Sequence, residues 1–186
     1  MGTVSAVRFH DDVREMLVDI ETVKQADRNP NQGDVEAIAE SIVLNGYAVP
    51  VIARRDTREI IAGNHRYAAL LSLGATLIPV IWVDMNDEQA ARFLLADNRT
   101  ARLGRDDLGL LAAVLDELDA SRHGLLGTGY THEDLSRFHQ IIENPLSFDS
   151  GNDARQRVGA KSVFECPECG HRWGPGLRVT PSEDYL

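Results

Sequence analysis

Apolar and polar positions alternate along this chain in short runs and helical repeats. Met16, Leu17, Val18 and Ile20 form a strand-like run that ends near Val23. The polar loop KQADRNPNQGD follows, and Asp34 is placed to cap a helix. In that helix Val35, Ile38, Ala39 and Ile42 recur at helical spacing, and Asn45-Gly46 ends it. Val49 to Ala53 reads as a strand, with Pro50 favouring an early or edge position. Arg55, Asp56 and Thr57 turn the chain, and Glu59 to Ala62 returns as the hairpin partner. Gly63 breaks the run. Asn64, His65 and Arg66 then open a helix continuing from Tyr67 to Leu73, and Gly74 stops it. Leu77 to Val83 predicts another strand. Asn86 caps a helix from Asp87 to about Leu95, with Gln89 three residues on for a capping box. Leu108 to Leu118 is a strongly apolar helix whose face (Leu110, Leu111, Val114, Leu115, Leu118) serves as core or as a partner surface. Thr131 caps a last helix with Leu135, Phe138 and Ile142 on one side. A β-hairpin flanked by helices, with strands before and after it, defines an α+β fold.

The segment EIIAGNHRYAALLSLG concentrates the chemistry. A strand entering a helix through a glycine leaves backbone N–H groups free at the helix start, and these attract anions. His65 and Arg66 in the same first turn add two donor side chains, so the turn reads as a phosphate grip. Two other readings compete: Asn64 simply capping a helix with His65 and Arg66 solvated, or a His–Arg pair facing a carboxylate elsewhere. The segment ADNRTARLGRDD carries Arg99, Arg102 and Arg105, the densest arginine cluster in the chain. Net charge is −10 over 186 residues, which argues against a protein that coats DNA by charge alone but leaves room for a local basic patch. The first residues, 1–12, read as a flexible lead without a signal-peptide core, and no apolar run is long enough to span a membrane. With only two cysteines, a reducing, cytoplasmic setting in a bacterium or a phage-infected host is expected.

Those cysteines form the second motif. Cys166, Cys169 and His171 stand in Cys-x-x-Cys-Gly-His order, like one knuckle of a zinc ribbon. A closed zinc site takes four ligands, so a distant histidine or a knuckle from a second protomer would complete it. A degenerate knuckle without metal is the alternative.

Taken in order, the loop ADRNPNQGD, the helix VEAIAESIVLNG, the strand GYAVPVIAR, the turn IIAGNHRYAAL and the downstream ADNR resemble the ParB/sulfiredoxin-like (ParB N-terminal) domain family over roughly residues 13–104. That resemblance implies a nucleotide-binding domain at 13–104; the residues after it read as a helical extension at 105–142, a linker at 143–161 and the zinc-ribbon-like tail at 162–186. It implies that Gly63, Asn64, His65 and Arg66 hold phosphates of CTP, ATP or ADP. It also implies that Asp97 and Asn98 hold magnesium in a catalytic role, with Arg99 or Arg102 as an additional cation. A carboxylate and an amide oxygen suit that ion. Sulfiredoxins carry a catalytic cysteine where this chain has Asn64, which excludes thiol chemistry there. Chromosome-partition relatives carry Glu-Arg-Arg after the glycine and a helix-turn-helix reader after the domain, neither of which is evident. The Gly-x-His-Arg-Tyr form is similar to ParB-like proteins of phages and mobile elements, some beside DNA methyltransferases.

The expected function is nucleotide binding with magnesium in a DNA-related process of a phage or mobile element, such as partition, modification or regulation, with nucleoside triphosphate hydrolysis as the candidate activity. The expected partners are DNA, a methyltransferase or other phage protein, and a second copy of the chain in a homodimer. The alternatives are a non-enzymatic adaptor using the zinc knuckle, a DNA nuclease, and a small-molecule kinase with Asp19 or Glu21 as base.

Overall fold

A computed structural model describes residues 7–144 and two short strands, Phe164–Glu165 and Arg172–Trp173. Strand β1, Leu17–Asp19, lies between two 3-10 segments, Asp11–Met16 and Ile20–Thr22. It is shorter than the apolar run predicts. Asp19 accepts a hydrogen bond from the Glu21 amide at 2.9 Å, which turns the chain out of the sheet.

Helix α1, Val35–Asn45, begins where Asp34 accepts from the Ala37 amide. Strands β2, Val51–Arg54, and β3, Ile60–Ala62, form the expected hairpin, with a register shift between Ile52 and Ala53. Helix α2, Asn64–Ser72, leads to β4, Leu77–Val83. The sheet order is β1-β4-β2-β3. β4 runs antiparallel to β1 and parallel to β2, in register Val51↔Val80 through Arg54↔Val83. A parallel pair requires a crossover, and α2 lies within that connection. β2 is therefore interior rather than an edge. Pro50 precedes it, so its missing N–H interrupts no ladder bond.

The core joins the sheet to α1 and α2 through Ile42, Tyr47, Val51, Ile60, Ala69, Leu70 and Ile78. Residues 7–12 are not a free lead. Val7 and Phe9 pack on this core, Phe9 bridges the Tyr47 backbone, and their rings meet edge-to-face at 5.7 Å.

Helix α3, Asp87–Thr100, starts with the predicted Asn86–Gln89 capping box but runs past Leu95. The polar stretch ADNRT contains no glycine or proline to stop it, and Thr100 Oγ1 donates back to the Ala96 carbonyl at 2.8 Å. Helices α4, Leu108–Asp119, and α5, His132–Glu143, share a second cluster built on Ala112, Leu115, Leu125 and Leu135. The apolar face expected on α4 divides. Leu115 is buried, whereas Leu110, Val114 and Leu118 stay exposed. The loop between α4 and α5 rests on the end of α1, where the Gly127 amide donates to Glu40 Oε1 at 2.8 Å and Asn45 Nδ2 donates to the Gly127 carbonyl at 3.2 Å.

Residues 1–145 thus form one unit that includes α4 and α5, and 146–186 form another. In the second unit β5, Phe164–Glu165, pairs antiparallel with β6, Arg172–Trp173. Cys166, Cys169 and His171, and residues 145–161 of the linker expected at 143–161, lie outside the described residues.

Candidate phosphate-binding site

The turn after β3 is shaped by Gly63, whose φ of +95° lies in the left-handed region. A Cβ here would sit 2.8 Å from Arg66 Nη2 and 2.9 Å from Val51 Cγ1, so glycine answers both backbone and space. Gly63, not Asn64, is the residue preceding the first turn of α2. Asn64 is buried, and its side chain is committed: Oδ1 accepts from the Ala26 amide at 2.9 Å and Nδ2 donates to the Ile60 carbonyl at 3.1 Å. Its side chain therefore fastens the turn to the loop before α1, a different part from the helix cap considered above.

His65 faces that same loop. The Gly33 amide donates to Nε2 at 2.9 Å, and the Asn31 carbonyl lies 3.1 Å from the same atom. One nitrogen cannot accept from Gly33 and donate to Asn31 together, so the tautomer selects the partner. Arg66 Nη2 donates to the Pro50 carbonyl at 3.3 Å, and its Nε is buried without a hydrogen-bond partner. Tyr47 lies close enough to feel the Arg66 charge, yet its buried hydroxyl makes no hydrogen bond of ordinary geometry. Burial pushes the Tyr47 hydroxyl up to about 12, the Arg66 charge opposing the rise.

Across the site, α3 contributes Asp97, Asn98 and, just past its end, Arg102. Asn98 Nδ2 donates to Asn29 Oδ1 at 3.1 Å, and its Oδ1 accepts from Asn31 Nδ2 at 3.1 Å. Arg102 Nη2 donates to Asn31 Oδ1. The two segments singled out in the sequence, separated by some thirty residues, thereby meet around one cavity of about 430 Å3. Its walls include Gly63 to Arg66, Asp97, Asn98 and Arg102, with Asn29 and Asn31 as a further wall and Ile38, Ile61 and Leu94 supplying apolar surface. Arg99 does not line it, and neither do Asp19 and Glu21. Because α3 continues through Thr100, Arg99 projects from a helical position one residue past Asn98, about 100° around the axis.

Magnesium can be tested against these residues. Asp97 is an exposed carboxylate on the cavity wall, while Asn98 Oδ1 already accepts one hydrogen bond. Among the described residues no group of three His, Cys, Asp or Glu side chains is poised around one point. The residues fit a magnesium ion that takes one or two protein oxygens and completes its shell with phosphate and water.

The sheet order, the glycine turn and the facing helix define an α+β domain of ParB/sulfiredoxin-like fold. Residues 9–99 match the ParB N-terminal domain family. Over 115 residues the chain is 33% identical to a probable plasmid-partitioning protein ParB of Deinococcus radiodurans, covering 60% of this chain and 37% of that protein. Over 100 residues it is 35% identical to a nucleoid occlusion protein of Listeria monocytogenes, covering 51% and 35%. A probable chromosome 1-partitioning ParB of D. radiodurans is 34% identical over 187 aligned positions, 88% of this chain and 62% of the relative. The chain spans little more than a third of the length of the first two relatives. Among solved structures, the C-terminally truncated chromosome-partitioning ParB of Caulobacter crescentus, complexed with CTP-gamma-S, shares the fold at a TM-score of 0.56 and 17% identity, covering 68% of this chain and 77% of that one.

The loop residues Asn29 and Asn31 were legible in the sequence only as part of a polar, turn-rich connection. Nothing in their spacing joins them to Asn98, 69 and 67 residues away respectively.

Proposed function

We propose that this chain binds a nucleoside triphosphate with magnesium, CTP foremost, and acts in partition or nucleoid occlusion of a bacterial replicon. The observation that carries this reading is the single cavity shared by the Gly63–Arg66 turn and the Asp97–Arg102 segment. In it, Gly63 lets the chain approach phosphate closely, and His65 and Arg66 supply donors from one side while Arg102 faces them from the other. Asp97, with Asn98, would hold magnesium, whose charge neutralises that of the phosphates. Support for CTP comes from the C. crescentus ParB, which shares the fold and was solved with CTP-gamma-S. The relatives' names favour partition and nucleoid occlusion over a phage or mobile-element setting with a methyltransferase partner, which rests on the Gly-x-His-Arg-Tyr form alone.

Calorimetry with CTP, ATP and ADP in the presence of magnesium tests the proposal. CTP should bind best, and Arg66→Ala should weaken it at least tenfold, as expected when a charged donor to phosphate is lost (~1.5–3 kcal/mol). Equal affinity in the variant would remove the phosphate grip. Turnover, measured as phosphate release, should fall in Asp97→Ala if the bound triphosphate is hydrolysed.

The exposed stripe Leu110, Val114 and Leu118 on α4 supports a homodimer, which sedimentation would detect. For the tail, the Cys-x-x-Cys-Gly-His spacing supports zinc, and metal analysis of the protein and of Cys166→Ser tests it.

A further inference from the structure

Three candidate ligand groups converge on one residue that the functional reading does not use. The Asn31 backbone carbonyl lies 3.1 Å from His65 Nε2, its Nδ2 donates to Asn98 Oδ1, and its Oδ1 accepts from Arg102. The loop that carries it is itself fixed: the Asn31 amide donates to Asn29 Oδ1 at 3.1 Å, and Asn29 Oδ1 also accepts from Asn98 Nδ2. Gly33 closes the loop onto the imidazole, since a Cβ there would fall 2.8 Å from His65 Nδ1. A carboxamide suits this position because it donates with one atom and accepts with the other. A carboxylate could accept from Arg102 but could not donate to Asn98.

We propose that Asn31 is a positioning residue of the nucleotide site: it orients Arg102, Asn98 and His65 toward the cavity before ligand arrives. The proposal rests on the nucleotide reading above. Arg102 is an exposed, many-rotamer side chain just beyond the end of α3, and ordering it in advance removes an entropic cost that phosphate binding would otherwise bear. Its guanidinium has five N–H donors, so the bond to Asn31 leaves the others for phosphate oxygens. Asn31 thus acts through Arg102 and Asn98, not by contact with phosphate.

Two measurements on the intact chain test this. The first needs no nucleotide. In Asn31→Ala, which keeps the backbone carbonyl beside His65, the side-chain amide resonances of Asn98 and the guanidinium resonances of Arg102 should shift while the fold's backbone spectrum stays in place. Unchanged side-chain signals overturn the proposal whether or not nucleotide binds. The second is a calorimetric double-mutant cycle with CTP and magnesium. Asn31→Ala should weaken binding roughly tenfold, yet cost no more than about threefold in an Arg102→Ala background, because the part of its effect that runs through Arg102 is already lost. Losses that multiply in the double variant, or wild-type affinity in Asn31→Ala, overturn the positioning role. Asn31→Asp should fail to rescue, since it cannot donate to Asn98, and rescue by it would count against the proposal. Failure of the wild-type chain to bind any nucleotide refutes the functional reading instead, and the resonance shifts still decide whether the Asn31 side chain holds Asn98 and Arg102.

Discussion

Gly63 combines two demands at a single position. Its backbone is left-handed, and the space a side chain would occupy is filled by Arg66 and Val51. Gly63→Ala should destabilise the domain by ~1–3 kcal/mol, from the unfavourable φ together with the displaced neighbours, and lower the midpoint of urea unfolding. An unchanged midpoint would show that the turn relaxes freely. Asn64 shows that residue type at a helix start leaves more than one task open. A short carboxamide at a helix start is ordinarily a cap, but here its side chain reaches Ala26 and Ile60 instead. Its replacement by a thiol-bearing residue would forfeit both bonds, so the position in this chain is structural.

At the scale of elements, helix starts are the best-predicted features, because capping is local. Asp34, Asn86 and Thr131 each accept the amide three residues on, as expected from residue type. At α5 the box is reciprocal, and the Asp134 carboxyl is held below the usual carboxylate range, first by the Thr131 hydroxyl and then by the Thr131 amide. A depressed native pKa adds stability above the unfolded value of about 3.9, and that contribution is lost as pH falls through the lower folded value. Thr131→Ala should therefore raise the Asp134 pKa toward ordinary, read from its carboxyl carbon shift against pH, and α5 should fray at higher pH in the variant than in the parent chain. A pKa that does not move would sink this account. Helix ends were less legible. Nothing local stops α3 at Leu95, and the length gained carries Asp97 and Asn98 onto a rigid helix facing the turn.

For the whole molecule, residues 1–145 hold both hydrophobic clusters described here, with α1 tied to the α4–α5 loop through Glu40, Asn45 and Gly127. A chain ending at residue 145 should thus keep the helical far-UV signature and melt within about 3 °C of the full chain, a shift worth less than ~1 kcal/mol for a domain of this size. A fragment that is unfolded would show that 146–186 complete the core.

The sequence by itself determined the order of elements, the helix caps, the glycine turn and the two segments that carry the site's charge. These follow from periodicity, φ preferences and local hydrogen bonding, each spanning only a few residues. Tertiary structure alone decided that β2 is interior, that α4 and α5 belong with the first unit, and that Asn29 and Asn31 close the cavity against Asn98 and Arg102. Those outcomes depend on contacts between residues tens of positions apart, and a side chain's commitment to a distant partner leaves no periodic trace in the chain.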